Sequence, residues 1–171
     1  GSANSIPQIV ARGLVSGGGI ASVKVRGDVS FARIMAGFSA GTIGSGNLNP
    51  TNAHARIGAV IVGGDWTASD LVAGVDSDDG LFGNADDGHG VNGTFGPHSK
   101  IASVVIKGLG SGTAANLGDH FGIVAEEIGK VTVNGVKFPL TRGLGNDDPT
   151  ASNPLFLIGP TNDFRVHEVA V

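Results

Sequence analysis

One eight-residue phrase constrains this chain more than any other feature in it. IASVKVRG begins at Ile20, IGAVIVGG at Ile57, IASVVIKG at Ile101 and IGKVTVNG at Ile128. Each reads apolar, x, x, Val, x, apolar, x, Gly. A fifth copy without the glycine, VHEVAV from Val166, places Val166, Val169 and Val171 at the same spacing and closes the chain. Residues two apart share one face of a strand, because the side-chain period is two, so Val23 and Val25 and their counterparts point inward together. The glycine two positions on marks a recurring bend, where a positive φ or a close backbone approach is cheap.

A second phrase alternates with the first: IVARG at Ile9, IMAGF at Ile34, LVAGV at Leu71, IVAEE at Ile123 and, more loosely, FLIGP at Phe156. The first phrase recurs after 37, 44, 27 and 38 residues. Two strand types in regular alternation, with polar segments of variable length between them, describe successive coils of a solenoid whose insertions map to loops. The expected fold is all-β: a right-handed parallel β-helix of about four coils with loop insertions, its hand taken from the crossover rule. An antiparallel β-sandwich is the alternative, since its strands also alternate and recur. The sandwich has no reason to repeat residue identities 37 to 44 positions apart. Residues 6–171 read as a single domain after a disordered lead-in at 1–5, whose Gly1-Ser2 resembles a tag-cleavage scar. One short helical turn is expected near Ala114–Leu117, because Gly118 and Gly122 weaken anything longer.

Composition agrees. The 171 residues include 30 glycines, no tyrosine, and only 15% charged side chains, a mixture that favours turns and short strands over helices. The 11 Lys and Arg are scattered within a net charge of −4, so no phosphate-tracking surface is expected and nucleic acid is excluded as a partner. Without cysteine there are no disulfides or thiolate metal sites. No apolar run approaches the roughly 18 residues of a membrane span, so no membrane insertion is expected.

Any chemistry must therefore lie in the loops. The longest, residues 75–100, carries Asp76, Asp78, Asp79, Asp86 and Asp87 interleaved with Gly80, Gly83 and Gly88. Carboxylates and inward-turned carbonyls are the oxygen ligands that calcium takes, which makes those five aspartates the candidate metal ligands. Gly80 stands where an EF-hand requires its third ligand, so that rule is not met. The plain alternative is a solvated acidic loop anchored by Phe82 and Phe95. Trp66, flanked by Asp65 and Asp70, has the makings of a sugar platform: a ring to stack and carboxylates to bond hydroxyls. More often such a Trp closes an edge of the core.

Asp119-His120, with Glu126 and Glu127 close behind, is the best acid–base grouping, but no nucleophile motif accompanies it. His54, His89, His98 and His167 lack metal-binding spacing, and each histidine reads as a surface residue. Asp148-Pro149 reads as a turn. The outward positions of the first phrase, among them Ser22, Lys24, Ala59, Ile61, Ser103, Val105, Lys130 and Thr132, include no carboxylate. That argues against the grooves in which β-helix hydrolases and lyases work, and no catalytic residue is assigned.

The passage IGAVIVGGDWTASDLVAGVDSDDGLFGNADD, with IASVVIKG and the closing PTNDFRVHEVAV, resembles the β-helical repeat region of very large bacterial cell-surface and adhesin-like proteins. The resemblance covers most of the chain from Ile20 onward. It implies an extracellular, non-enzymatic structural or adhesive segment, with calcium as a stabiliser and a neighbouring coil or a second copy of the chain as partner. The other reading is a carbohydrate-binding or carbohydrate-active β-helix with a glycan partner. The terminal Val169-Ala170-Val171, without a following turn, leads to the expectation that another coil or another molecule covers the last one.

Overall fold

A computed structural model describes residues 8–11, 19–39, 47–90, 98–113, 118–147 and 156–171. Among them the protein is all-β with almost no helix. The strands in order are β1 (Gln8–Ala11), β2 (Gly19–Val25), β3 (Val29–Ser30), β4 (Arg33–Ala36), β5 (Arg56–Val62), β6 (Trp66–Thr67), β7 (Asp70–Ala73) and β8 (Val75–Ser77). They continue with β9 (Asp87–His89), β10 (Lys100–Ile106), β11 (Gly110–Ser111), β12 (Phe121–Ala125), β13 (Glu127–Ile128), β14 (Val131–Val133), β15 (Val136–Lys137) and β16 (Phe164–Glu168). The helical turn expected at 114–117 lies outside the described residues, as do Phe95 and Asp148-Pro149.

Three sheets are built on parallel pairs. The second phrase forms β1-β4-β7-β12-β16, the first forms β2-β5-β10-β14 with β13 beside β10, and the two-residue strands form β3-β6-β11. The chain visits these sheets in the order second-phrase, first-phrase, short three times over, and then passes from β12 through β13 and β14 to β16 without a further strand in the short sheet. Antiparallel pairing is confined to the hairpins β8-β9 and β14-β15 and to two isolated bridges.

Register explains the repeat. Ile20, Ile57, Ile101 and Ile128 are successive partners, as are Val23, Val60, Val104 and Val131. In the other large sheet the column is Ile9, Ile34, Leu71, Ile123 and Val166. From Ile34 onward that column joins Ile57, Val60, Val62 and the buried Trp66 in one apolar core. Each fully buried aliphatic side chain there contributes about 1.5 to 3 kcal/mol of transfer free energy. The alternate residues Met35, Val72 and Val124 face the other way. They form a second cluster with Phe38, Leu48, Val75 and Phe82, so both faces of this sheet are covered.

The last pair of phrases needs correcting. VHEVAV is a second-phrase strand: Val166 pairs with Ile123 and His167 with Val124. FLIGP is outside that sheet, with Leu157 bridging back to Arg165. Val169 falls in the second cluster, not in the core that the first phrase lines.

Within the first phrase, Ile57 and Val60 are both buried although they are three residues apart, which a strict period of two forbids. The ladder passes from Ile20–Ile57 to Ser22–Ala59 and skips Ala21 and Gly58. There the backbones close up: a Cβ on Gly58 would stand 2.0 Å from the Ala21 carbonyl oxygen. The terminal glycine of the phrase is also mainly a close-approach residue. A Cβ on Gly64 would lie 1.9 Å from Asp28 Oδ1 and one on Gly108 2.1 Å from Asp65 Oδ1, while only Gly135 among the four copies has a positive φ.

Gly58→Ala is expected to cost about 2 to 4 kcal/mol, because a backbone oxygen cannot move aside as a side chain would. Gly27→Ala, with nothing within 4 Å of its added carbon, is expected to change stability by less than about 0.5 kcal/mol. Urea midpoints of the two variants measure the difference.

Candidate functional site

The candidate site is the long loop and the sheet face beneath it. β8 and β9 pair Val75 with His89, Asp76 with Gly88 and Ser77 with Asp87, and the turn between them is held by its own side chains. Asp79 Oδ1 accepts from the Leu81 N–H at 2.7 Å and Oδ2 from Asn84 Nδ2 at 3.1 Å. The Gly80 N–H donates to Ser77 Oγ at 2.9 Å, and Ser77 exchanges backbone bonds with Leu48 at 2.8 and 3.0 Å.

Four contacts dock this hairpin on the second-phrase sheet. Phe82 is fully buried and meets Phe38 edge-on at 6.2 Å, so the expected Phe82 anchor is present. Arg33 Nη2 donates to the Gly80 carbonyl at 2.9 Å. Asp87 Oδ2 accepts from the Gly83 N–H at 2.7 Å and lies 3.1 Å from His167 Nδ1. His89 Nδ1 contacts Glu126 Oε1, and Glu126 Oε2 accepts from the Ser99 N–H at 2.6 Å.

Beneath the loop runs a row of charged groups at equivalent strand positions. Arg33 pairs with Asp70, and Gly122 with Arg165. Asp70 Oδ2 is 3.1 Å from Arg33 Nε, and its Oδ1 accepts from the Gly122 N–H at 3.1 Å. Burial nevertheless pushes its carboxyl up to about 7, helped by the charge of Asp87 and opposed by Arg33 and the Gly122 N–H. Burial also raises Asp87, which the His167 and Gly83 hydrogen bonds counter. Asp76 is raised by burial and then by Asp78, and Asp86 by burial and then by Asp79.

The proposed sugar platform does not assemble. Trp66 is 0% exposed, walled into the core, and its indole N–H donates to the Ser69 carbonyl at 2.9 Å. A ring with no exposed face has nothing to offer a sugar. Its flanking acids serve other partners: Asp65 Oδ1 accepts from the Leu109 N–H at 2.8 Å, while Asp70 faces Arg33. Asp65 belongs to a ladder, since its own N–H donates to Asp28 Oδ1 at 2.8 Å.

Of the five loop aspartates, Asp79 and Asp87 hold the hairpin, and Asp78 meets Asn47 Nδ2 at 3.4 Å. Among the described residues no three His, Asp or Glu side chains gather as metal ligands. The acid–base grouping is dispersed as well: Glu126 is buried against Ser99 and His89, Glu127 pairs with Lys100 at 2.7 Å, and Asp119 bonds Thr113. His167, expected at the surface, is 5% exposed. Its signal was its column, in line with Met35, Val72 and Val124, which appears only once VHEVAV is aligned with the second phrase. Arg33 stands outside both repeated phrases and carried no motif.

No known family model, no curated protein and no solved structure matches this chain. No helix among the described residues is long and apolar enough to cross a membrane.

Among the described residues Asp70, Asp76, Asp86, Asp87, Asp147 and Glu168 are raised, each chiefly by burial. A raised carboxyl binds its proton more tightly in the fold than in the unfolded chain. Its contribution is therefore complete below the unfolded value, 3.8 for Asp70, and is lost as pH rises through about 7. Urea midpoints are expected to be higher at pH 5 than at pH 8. Asp70→Asn is expected to flatten that slope, and an unchanged slope counts against the assignment.

Proposed function

We propose that this chain is a segment of a right-handed parallel β-helix of about four coils, with a non-enzymatic structural or adhesive role in an extracellular bacterial surface protein. The observation that carries the reading is the order in which the chain visits three parallel sheets, repeated three times, with equivalent residues of the two long phrases in register from one visit to the next. Parallel ladders favour the β-helix over a sandwich, whose strands pair antiparallel. The structural role is supported by how the reactive-looking residues are used. Asp28 and Asp65 each accept a backbone N–H from the following coil, Trp66 fills the core, and the ion pairs fasten the long loop. Calcium belongs to the reading as a brace between coils.

The partner is a further coil, or the edge of a second copy. Ile20, Val23 and Val25 on β2 are only partly buried where Ile57, Val60 and Val62 on β5 are fully buried. Among the described residues β2 has a strand on one side only.

Excision of residues 28–64 joins Gly27 to Asp65, which follows the equivalent Gly64, and so removes one whole coil. Because a solenoid's stability is a sum over neighbouring coils, the shortened chain is expected to unfold cooperatively with a β-type circular dichroism spectrum at a lower midpoint. Loss of cooperative unfolding would sink the β-helix reading. On a glycan array, and against soluble polysaccharides, the native chain is expected to show neither binding nor turnover. Either activity would transfer the assignment to a carbohydrate-directed domain.

A further inference from the structure

At one corner two carboxylates share a single hydroxyl. Thr113 Oγ1 lies 2.7 Å from Asp119 Oδ2 and 3.3 Å from Asp163 Oδ2, and the Thr113 N–H donates to Asp163 Oδ2 at 2.8 Å. A hydroxyl has one proton and can satisfy one of the two. The remaining oxygens, Asp119 Oδ1 and Asp163 Oδ1, are closed off from solvent and have no hydrogen-bond partner, and Asp163 as a whole is 7% exposed. Burying carboxylate oxygens in this way is costly unless a positive charge joins them. No Lys or Arg forms an ion pair with either acid among the described residues.

The backbone does not need this much charge. At the matching corner two circuits earlier, the Ala32 N–H is capped by Ser69 Oγ at 3.0 Å, and a neutral hydroxyl suffices. The later corner replaces it with Asp163 and adds Asp119. It also makes room: a Cβ at Gly112 would come within 2.0 Å of Asp163 Oδ1.

We propose that Asp119, Asp163 and the Thr113 hydroxyl form a hard-cation site that takes calcium. The donors are all oxygen. His120, whose Nδ1 is also buried and unpaired, makes no three-ligand group with the two acids. Calcium accepts irregular sets completed by carbonyls and water, whereas magnesium demands near-octahedral geometry, which nothing at this corner imposes. The ion ties Thr113, which follows β11, to Asp163, which precedes β16, and so braces successive circuits. The inference deepens the calcium brace proposed above by placing it away from the long loop, and it does not depend on where the protein resides.

The test is the thermal midpoint in EGTA and in rising CaCl2, with MgCl2 as comparison. The chains compared are the native protein, Asp119→Asn, Asp163→Asn, and the loop variant Asp76→Asn/Asp78→Asn/Asp79→Asn. Each is compared with its own calcium-free midpoint, which separates binding from damage to the fold. At a hundredfold excess over Kd the native chain and the loop variant are expected to rise by roughly 5 to 10 °C. The two corner variants should lose most of that rise. If Asp163→Asn does not fold, Asp119→Asn carries the test, because Asp119 bonds only the Thr113 hydroxyl among the described hydrogen bonds. A rise abolished in the loop variant and kept in the corner variants overturns the proposal in favour of the loop. No rise in the native chain up to several millimolar calcium also overturns it.

Discussion

Everything in this fold follows from in-register parallel pairing. When each strand lies on its own equivalent, a residue faces a counterpart of the same kind above and below, so whatever a position requires, it requires several times. Aliphatic side chains satisfy this without conflict, which is why Ile20, Ile57, Ile101 and Ile128 recur unchanged. Charges do not. Two of the stacked pairs are of opposite sign, Arg33 beside Asp70 and Lys100 beside Glu127 at 2.7 Å, although Lys100 has Arg56 as its partner on the other side. Where the same acid recurs, as at Asp28 and Asp65, each carboxylate leans onto a backbone N–H of the next circuit and forms a ladder of caps. The glycines at 64 and 108 are the space those carboxylates occupy.

The long insertion obeys the same constraint from outside. It enters between β7 and β10, so no ladder is interrupted, and it covers the face of the second-phrase sheet turned away from the main core, where Met35, Val72 and Val124 stand in line. Phe82 supplies the apolar contact. The charged row at the edge of that face is then taken out of water along with it. Asp70 is buried on the sheet beneath the loop and Asp87 within the loop itself, and Arg33 and His167 are their side-chain partners.

Much of this was legible in the sequence. The two long phrases predicted parallel partners, their inward residues and their interruption by loops, because identity repeated at each circuit leaves a periodic record. The third sheet was illegible: Val29–Ser30, Trp66–Thr67 and Gly110–Ser111 are two residues long and have in common only a hydroxyl residue at the second position, so only their hydrogen bonds reveal them. Val169 misled for a related reason, since a spacing of three and two fits the first phrase whether or not the residue faces the core. For the candidate site, the acidic loop and Trp66 were conspicuous by composition. Composition is silent on direction, however, and the indole points into the core while Asp79 and Asp87 point into the hairpin.

The buried acids divide by the source of their compensation. Asp70 and Asp87 find cationic or ionisable side chains within the chain, and Glu168 is met by the N–H groups of Ile128 and Asn146 at 2.6 and 3.1 Å. Asp119 and Asp163 find a hydroxyl and one N–H, which leaves each with an oxygen unanswered. A repeat under selection only for stacking would have kept the Ser69 solution, which closes the same kind of corner at no charge cost. The divalent ion proposed for this corner answers those oxygens without altering a single column of the stack.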